Sequence, residues 1–254
     1  MRIARVSLGE QVSLVSVEGE PGEEIAVPID GQAGARGEPH RLADVVLLPP
    51  VQPSKIVAVG RNYAEHAAEL GSTLAERPRI FLKPPSSLIA RGQPIRYPAE
   101  SQEVHHEAEL AIIIGRECRR ASVEDALTYV FGYTCANDVT ARDIQRAEGL
   151  PSYAKSFDTF CPLGPWFTTN LDPTALHITC TVNGELRQNG NTRDMLCDVR
   201  QLIVHISAAM TLLPDDVILT GTPAGVGPIK PGDEVAVTIE GIGTLSNSVV
   251  QDCP

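Results

Sequence analysis

Short apolar runs alternate with polar turns rich in glycine and proline along most of the chain. Up to about residue 50, apolar positions alternate with polar ones, as in the stretch from Ile3 to Val17, and this predicts short strands. The segment from Leu48 to Pro53 contains three prolines and indicates a rigid connector. The pattern therefore predicts a small strand-rich N-terminal domain over residues 1–50 and a larger domain over residues 51–254.

The larger domain repeats the strand pattern many times. The predicted strands are Lys55–Val59, Arg79–Leu82, Glu107–Gly115, Tyr129–Asn137, Thr179–Val182, Val217–Thr220 and Val235–Ile239. These strands do not alternate regularly with helical segments, so a doubly wound parallel sheet is not expected. The sequence predicts a mostly β fold of the α+β class.

Helical periodicity is clear in two places. Asn62 to Leu70 predicts a helix with an asparagine N-cap and an end at Gly71. A second helix is predicted from Val199 to Leu213, directly after Asp198. Its apolar stripe comprises Leu202, Ile206, Ala209 and Met210.

Composition and charge narrow the classes of function. The 32 acidic residues exceed the 21 Lys and Arg, and the net charge of -11 repels nucleic acid and anionic membranes. No apolar run approaches the roughly 18 residues of a membrane helix, and the N-terminus leads into no signal-peptide core. The six cysteines lack the spacing of a zinc site or a disulfide framework. We expect a cytoplasmic protein without a nucleic-acid or membrane partner.

The segment around Glu107 and Glu109 is the most informative for chemistry. The apolar, β-branched run Leu110–Ile114 predicts a buried strand, and residues two apart on a strand share a face. Two neighbouring carboxylates repel each other unless they bind protons or a cation. Asp138, at the end of another predicted strand, offers a third carboxylate. Such a set favours Mg²⁺ or Mn²⁺ over Zn²⁺, although a Glu-x-Glu pair also occurs on solvent-facing strand edges.

Six motifs in chain order resemble the successive signatures of the fumarylacetoacetate hydrolase family. They are Gly60-Arg61-Asn62-Tyr63-Ala64-Glu65-His66, Phe81-Leu82-Lys83-Pro84, His106-Glu107-Ala108-Glu109-Leu110, Asp138-Val139-Thr140-Ala141-Arg142-Asp143, Lys155-Ser156-Phe157-Asp158-Thr159 and Thr220-Gly221-Thr222-Pro223-Ala224-Gly225-Val226-Gly227. The resemblance implies the family's mixed β-sandwich roll for the larger domain. The short N-terminal region resembles that of the bacterial branch containing isomerase/decarboxylases of aromatic degradation and oxaloacetate decarboxylases.

The resemblance also implies roles for individual residues. Glu107, Glu109 and Asp138 match the family's ligands for Mg²⁺ or Mn²⁺. His66 and Glu69, three apart on the predicted helix, match the dyad that activates a water molecule, although such a pair is also common on exposed helices.

Four further positions complete the predicted site. Lys155 matches a lysine near the metal that stabilises an enolate or oxyanion, whereas a lysine is otherwise usually a surface residue. Arg142 and Gln145 lie three apart and are predicted to bind a substrate carboxylate. Thr222 matches the family's contact to a ligand carboxylate.

The implied function is divalent-metal-dependent cleavage of a carbon–carbon bond in a small 2-oxo acid, through a metal-stabilised enolate. Acylpyruvate hydrolysis and oxaloacetate decarboxylation both fit this description. The alternative is the 2-hydroxyhepta-2,4-diene-1,7-dioate isomerase and 5-carboxymethyl-2-oxo-hex-3-ene-1,7-dioate decarboxylase of aromatic catabolism. A catalytically silent interaction protein is a third hypothesis, but it leaves the retention of His66, Glu69 and Lys155 unexplained. The family resemblance further implies a homodimer formed through residues 51–254.

Overall fold

The computed structural model describes residues 1–9, 11–29, 38–69 and 77–252. Within these ranges the chain forms many short strands and four α-helices, which confirms the predicted mostly β fold of the α+β class. The strands are β1 (Arg2–Leu8), β2 (Gln11–Glu18), β3 (Ile25–Pro28), β4 (His40–Arg41), β5 (Val46–Leu48), β6 (Ile56–Gly60), β7 (Arg79–Lys83), β8 (Leu88–Ile89), β9 (Ile95–Tyr97), β10 (Val104–His106), β11 (Ala108–Ile114), β12 (Val130–Asn137), β13 (Thr140–Ala141), β14 (Cys161–Thr168), β15 (His177–Val182), β16 (Glu185–Asn191), β17 (Val217–Leu219), β18 (Gly227–Ile229), β19 (Glu234–Ile239) and β20 (Gly243–Gln251). The α-helices are α1 (Ala64–Glu69), α2 (Arg142–Glu148), α3 (Pro151–Ala154) and α4 (Val199–Ala209).

The longest sheet has the strand order β4-β3-β2-β1-β14-β12-β11-β17-β6-β7, with β5 paired to β1 and β8 paired to β14. Its pairs are antiparallel, except that β17 runs parallel to β6 and β8 runs parallel to β14. A second sheet has the order β16-β15-β19-β20-β9, and a small third sheet has the order β13-β10-β18. The small sheet leads the chain into β11, where the predicted carboxylate cluster begins.

Strand β11 separates two apolar cores, and all seven of its residues are buried. Leu110, Ile112 and Ile114 point into the larger core, which the second sheet also lines. Ala111 and Ile113 point into the smaller core on the opposite face of the strand. Because this part of the strand is buried on both faces, its side chains are apolar, which explains the continuous run Leu110–Ile114 in the sequence.

The first five strands extend the long sheet. Arg2 and Ile3 of β1 pair with Thr168 and Phe167 of β14, so the N-terminal region is hydrogen-bonded to the larger one. The connector that follows is held by Asp216, whose carboxylate accepts hydrogen bonds from the backbone nitrogens of Ser54 and Lys55. The division of the chain near residue 50 stays a prediction.

Helix α1 begins later than the sequence predicts, and Asn62 is not its N-cap. The helix begins at Ala64, and the side chain of Asn62 bonds instead to the backbone of Cys197 and Thr220. These long-range hydrogen bonds compete with local capping and define the turn before the helix. The predicted end at Leu70 and Gly71 lies outside the described residues.

Helix α4 begins as predicted but ends early. Asp198 and Gln201 form a reciprocal capping box at its start. The helix ends at Ala209 rather than Leu213, because Met210 adopts an extended conformation. Ala209 is exposed, so its place on the predicted apolar stripe is wrong, whereas Leu202 and Ile206 are fully buried. None of the helices in the described ranges is long and apolar enough to span a membrane.

Candidate active site

Three carboxylates converge where β11 and β12 meet. Glu107 directly precedes β11, Glu109 lies within it and Asp138 directly follows β12. The backbone nitrogen of Asp138 donates to the carbonyl oxygen of Glu107 at 2.9 Å, and the Asn137 side chain accepts from the Glu107 nitrogen at 2.9 Å. All three carboxylates are buried, and one oxygen from each lies within 4.8 Å of the others. The antiparallel register of the two strands therefore places the predicted metal ligands side by side.

The carboxyl groups of the triad differ in how readily they ionise. Burial raises the pKa of Glu109 well above its ordinary value, and the charges of Asp138 and Glu107 raise it further. Burial also opposes ionisation of Glu107, but Lys155 and Arg142 outweigh it and lower the pKa of that carboxyl. A hard divalent cation beside Glu109 would offset the burial and the neighbouring negative charges that raise this pKa. The donor set of three carboxylates thus fits Mg²⁺ or Mn²⁺.

Two buried lysines contact the triad. Lys155, at the end of α3, donates to Glu107 Oε2 at 2.7 Å and to Asp138 Oδ2 at 2.6 Å. Lys83, at the end of β7, donates to Asp138 Oδ1 at 2.6 Å and is only 1% exposed. The sequence predicted no role for Lys83, although the residue lies in the Phe-x-Lys-Pro motif that the chain shares with the family. Two lysines and the three carboxylates therefore form one buried charge cluster.

The predicted carboxylate-binding pair lies beside the triad. Arg142, at the start of α2, contacts Glu107 through Nη2 and donates from Nη1 to Gln145 Oε1 at 2.5 Å. Its Nε donates to His105 Nδ1 at 3.4 Å, and His105 Nε2 in turn donates to Glu103 Oε1 at 2.9 Å. Burial and the charge of Arg142 lower the pKa of His105, which favours the neutral imidazole. This chain of contacts fixes the position of the Arg142 guanidinium.

The His66 and Glu69 pair lies on α1, and His66 lines the same cavity as the triad. His66 Nδ1 lies 3.1 Å from Glu69 Oε2, and the imidazole is buried. The backbone nitrogen of Gly225 donates to both Glu69 oxygens at 3.2 and 3.3 Å. Glu69 therefore links α1 to the loop after β17, and it holds the imidazole in one orientation.

The loop after β17 carries Thr222 and approaches the triad closely. Gly221 has a φ of +95°, and its backbone nitrogen donates to Glu109 Oε2 at 2.6 Å. A Cβ at this position would lie 2.8 Å from Asn62 Cβ, so glycine is required by both conformation and space. This close approach brings the neighbouring Thr222 to the site.

Gln188 of β16 is a structural residue of the site that sequence analysis missed. Its fully buried side chain donates to Thr222 Oγ1 at 2.7 Å and to the Pro223 carbonyl at 2.8 Å. The same amide accepts from the Ala108 nitrogen at 2.9 Å and lies 3.0 Å from His106 Nδ1. Gln188 thus ties the Thr222 loop to the strand that carries Glu107 and Glu109.

A cavity of about 580 Å³ unites these groups. Eight of the nine predicted site residues line it, namely His66, Glu107, Glu109, Asp138, Arg142, Gln145, Lys155 and Thr222. The ninth, Glu69, contacts the cavity residue His66. The structure therefore brings the whole predicted set together around one cavity, and the chemical roles of these residues stay predictions.

Two family models match the chain. Residues 55–250 match the model described as fumarylacetoacetate (FAA) hydrolase C-terminal, and residues 1–50 match the model described as Rv2993c-like, N-terminal. Protein Rv2993c of Mycobacterium tuberculosis is 48% identical over 261 residues, covering 99% of this chain and 98% of that protein. The mitochondrial oxaloacetate decarboxylase of Dictyostelium discoideum is 47% identical over 197 residues, covering 75% of this chain and 90% of that protein.

Two solved structures extend the comparison. The 5-carboxymethyl-2-hydroxymuconate delta-isomerase of Mycobacterium smegmatis is 48% identical, with a TM-score of 0.92 and complete coverage of both chains. The maleylpyruvate hydrolase of Sphingobium sp. SYK-6, in complex with manganese(II) and pyruvate, is 36% identical, with a TM-score of 0.81 and complete coverage of both chains. Relatives of this chain thus carry decarboxylase, isomerase and hydrolase names.

Proposed function

The chain belongs to the fumarylacetoacetate hydrolase family, and from this premise we propose that it is a divalent-metal-dependent enzyme that cleaves a carbon–carbon bond of a small 2-oxo acid. The reaction is the hydrolysis of an acylpyruvate or the decarboxylation of oxaloacetate. One observation carries this proposal: the carboxylate triad and the imidazole of His66 line the same cavity. A group able to activate water therefore shares a cavity with a site for a cation.

Glu107, Glu109 and Asp138 would hold the cation, which is Mg²⁺ or Mn²⁺ in this proposal. Bound there, the cation supplies Lewis-acid chemistry that polarises a chelating 2-oxo acid. The related maleylpyruvate hydrolase, solved with manganese(II) and pyruvate, supports this choice of cation and ligand.

The chain's own residues supply binding and proton transfer. Arg142, Gln145 and Thr222 bind the carboxylate next to the 2-oxo group, and the positive charge of Lys155 favours the enolate as it forms. In acylpyruvate hydrolysis, His66 takes a proton from water while the water oxygen attacks the distal carbonyl carbon. The carbon–carbon bond on the pyruvate side then breaks, its electron pair forms the pyruvate enolate, and a proton converts that enolate to pyruvate.

Oxaloacetate requires fewer steps. Its distal carboxylate leaves as CO₂, and the electron pair of the broken carbon–carbon bond forms the same pyruvate enolate. Lys155 therefore serves both reactions, whereas water activation by His66 is needed only for hydrolysis. The decarboxylase name of the Dictyostelium relative supports the second reaction.

A second candidate is the isomerase/decarboxylase of aromatic catabolism, which acts on 2-hydroxyhepta-2,4-diene-1,7-dioate and 5-carboxymethyl-2-oxo-hex-3-ene-1,7-dioate. It is favoured by the isomerase name of the Mycobacterium smegmatis structure, which this chain matches along its whole length. Proton transfer alone suffices for the isomerisation, so a water-activating imidazole has no part in it.

The test is a substrate screen with and without Mg²⁺ or Mn²⁺. The purified protein is assayed on oxaloacetate, acetylpyruvate and 2-hydroxyhepta-2,4-diene-1,7-dioate. Metal-dependent release of pyruvate from either of the first two substrates supports the leading proposal. Activity on the dienoic diacid alone supports the second candidate, and turnover of none of the three contradicts both.

The proposal includes a homodimer formed through residues 51–254, in the cytoplasm. The assembly is checked by sedimentation velocity at micromolar concentration. A sample that sediments only as a monomer of the 27.2 kDa chain contradicts it.

A further inference from the structure

Two arginines line the cavity of the carboxylate triad without a partner for their charge among the described residues. Arg61 directly follows β6, and Arg79 opens the neighbouring β7, where its backbone pairs with Gly60. Within the part of the chain that the structure describes, neither guanidinium forms an ion pair or a hydrogen bond. Two positive groups are therefore available on the cavity wall.

The two other arginines of the cavity wall differ in this respect. Arg142 contacts Glu107, and Arg146 contacts the Glu103 carboxylate and also donates from Nη1 to its Oε1 at 3.1 Å. Their charges are thus compensated within the chain. In a protein with a net charge of -11, two uncompensated guanidinium groups beside one cavity mark a local site for an anion.

The backbone holds Arg61 in an unusual conformation. Its φ is +62°, in the left-handed region that residues other than glycine rarely adopt. The next residue, Asn62, anchors this turn through hydrogen bonds of 2.8 to 2.9 Å to Cys197 and Thr220. Strained conformations persist where the surrounding structure fixes them, and they concentrate at functional sites. The fold therefore maintains Arg61 on the cavity wall at some cost in backbone strain.

The two guanidinium groups also repel each other. Burial lowers the pKa of Arg61, and the nearby charge of Arg79 lowers it further. An anion bound by both groups would relieve this repulsion. A carboxylate is suited to this place because its two oxygens match the planar fork of an arginine.

We infer that Arg61 and Arg79 bind the second carboxylate of the substrate, so that the enzyme acts on 2-oxo diacids in preference to 2-oxo monoacids. This inference rests on the proposed function, in which Arg142, Gln145 and Thr222 bind the first carboxylate. It separates the candidate substrates, since oxaloacetate and 2-hydroxyhepta-2,4-diene-1,7-dioate carry two carboxylates and acetylpyruvate carries one.

The test compares two ligands that differ only at the distal end. Binding of 2-oxoglutarate and of 2-oxopentanoate is measured by calorimetry at saturating Mg²⁺, in the wild type and in the double variant Arg61→Asn/Arg79→Gln. Asparagine is chosen at position 61 because it tolerates a positive φ. Arg91→Gln is the matched control, because Arg91 is exposed and lies outside the residues that line the cavity.

We expect the wild type and Arg91→Gln to bind 2-oxoglutarate about 10- to 100-fold more tightly than 2-oxopentanoate, since hydrogen bonds to a charged group have this strength. The double variant should lose this preference and keep its affinity for 2-oxopentanoate. A wild type without preference, an unchanged preference in the double variant, or an equal loss for both ligands overturns the inference.

The binding experiment is independent of turnover. If the substrate screen fails while the double variant loses its preference for 2-oxoglutarate, the second-carboxylate site stands and the proposed reaction is wrong. If pyruvate is released from acetylpyruvate and oxaloacetate while the preference is absent, the proposed reaction stands and the second-carboxylate site is wrong.

Discussion

The ammonium group of Lys83 lies 2.6 Å from Asp138 Oδ1, and both side chains are buried. Lys155 approaches the other oxygen of the same carboxylate at the same distance. Asp138 is thus neutralised by two lysines, and a third cation near it changes the balance of this buried cluster. The stability of the protein should therefore depend on the lysines and on a bound metal together.

We predict that Lys83→Met destabilises the metal-free protein by about 3 kcal/mol, because it removes one partner of a buried ion pair. Saturating Mg²⁺ should raise the free energy of unfolding more in Lys83→Met than in the wild type, since the metal restores positive charge beside Asp138. Urea unfolding with and without Mg²⁺ measures both effects. Lys230→Met, at an exposed position, is the control. An Mg²⁺ effect equal in the variant and the wild type contradicts the prediction.

A second prediction concerns Gln188, which joins Thr222 to β11, the strand that contains Glu109. Gln188→Met keeps the length of the side chain but leaves the Ala108 nitrogen and Thr222 Oγ1 without this partner. We expect the KM for the 2-oxo acid to rise about tenfold with a smaller change in kcat, because in the proposed function Thr222 binds the carboxylate of the ground-state substrate. Gln188→Glu retains the acceptor for the Ala108 nitrogen but loses the amide donor to Thr222 Oγ1, so its KM should also stay raised. An unchanged KM in both variants contradicts this role.

The strands and the carboxylates were predictable from sequence because their signals are local. The run Leu110–Ile114 is apolar at every position, and Glu107 and Glu109 stand two apart at its start. The N-cap prediction for Asn62 was wrong because its partners, Cys197 and Thr220, are more than 130 residues away. No local pattern reports such a contact.

The contributions of Lys83 and Gln188 depend on the same kind of long-range contact. Lys83 meets Asp138 across 55 residues, and Gln188 meets Ala108 across 80. Both are polar residues that the sheets bury completely. A single sequence shows the residue type but not the burial that gives it a role, so these positions could be identified only in the fold.

A third prediction uses the raised pKa of Glu109. Metal binding needs the ionised carboxylate, so Mg²⁺ affinity should rise with pH until Glu109 is ionised. A carboxyl whose pKa is raised in the folded state stabilises the metal-free protein at low pH, and this contribution is lost as pH rises through the folded pKa. The melting temperature gained on adding Mg²⁺ should therefore increase as the pH rises above the ordinary carboxyl pKa of 4.5.

Glu109→Gln provides the control, since glutamine has the same shape and does not titrate. Its metal affinity should be low, and the loss of stability with rising pH should be absent. Calorimetric titration at several pH values measures the affinity. A wild-type affinity for Mg²⁺ that does not change over this range, or full activity in a metal-free sample, contradicts the assignment of Glu109.

A fourth prediction concerns Asp216, which holds the connector to β17. Its carboxylate accepts from Ser54 Oγ at 2.7 Å and from the Leu213 nitrogen at 2.7 Å, and it also contacts the Lys55 ammonium. Burial opposes ionisation, but the Leu213 nitrogen and the Lys55 and Ser54 contacts outweigh it and lower the pKa of Asp216. Asp216→Asn should reduce the free energy of unfolding by about 3 kcal/mol near pH 7.

The sign of the pH dependence follows from the lowered pKa. The stability that ionised Asp216 contributes is complete above the unfolded-state pKa of 3.8 and is lost as pH falls through the lower folded-state pKa. The difference between the wild type and Asp216→Asn should thus be constant from neutral pH down to about 4 and shrink below it. Urea unfolding across this range measures it, and a difference that shrinks already near pH 6 contradicts the assignment.

The last prediction separates cleavage from isomerisation, and it depends on His66. The imidazole lines the cavity, and Glu69 orients it through Nδ1 at 3.1 Å. If it activates water, His66→Ala should lower kcat for acylpyruvate cleavage by about 10² to 10⁴. The affinity for Mg²⁺ should stay nearly unchanged, since the predicted metal ligands are Glu107, Glu109 and Asp138 and do not include His66.

Glu69→Gln should lower the same rate less severely, because the imidazole keeps a hydrogen-bond partner and loses only the negative charge beside it. Isomerisation of 2-hydroxyhepta-2,4-diene-1,7-dioate needs no activated water, so His66→Ala should retain most of any isomerase activity. The measurement is the pair of rates on one His66→Ala sample at saturating Mg²⁺. A cleavage rate that survives the substitution would contradict water activation by His66, because the proposed hydrolysis depends on the imidazole to take the proton from water.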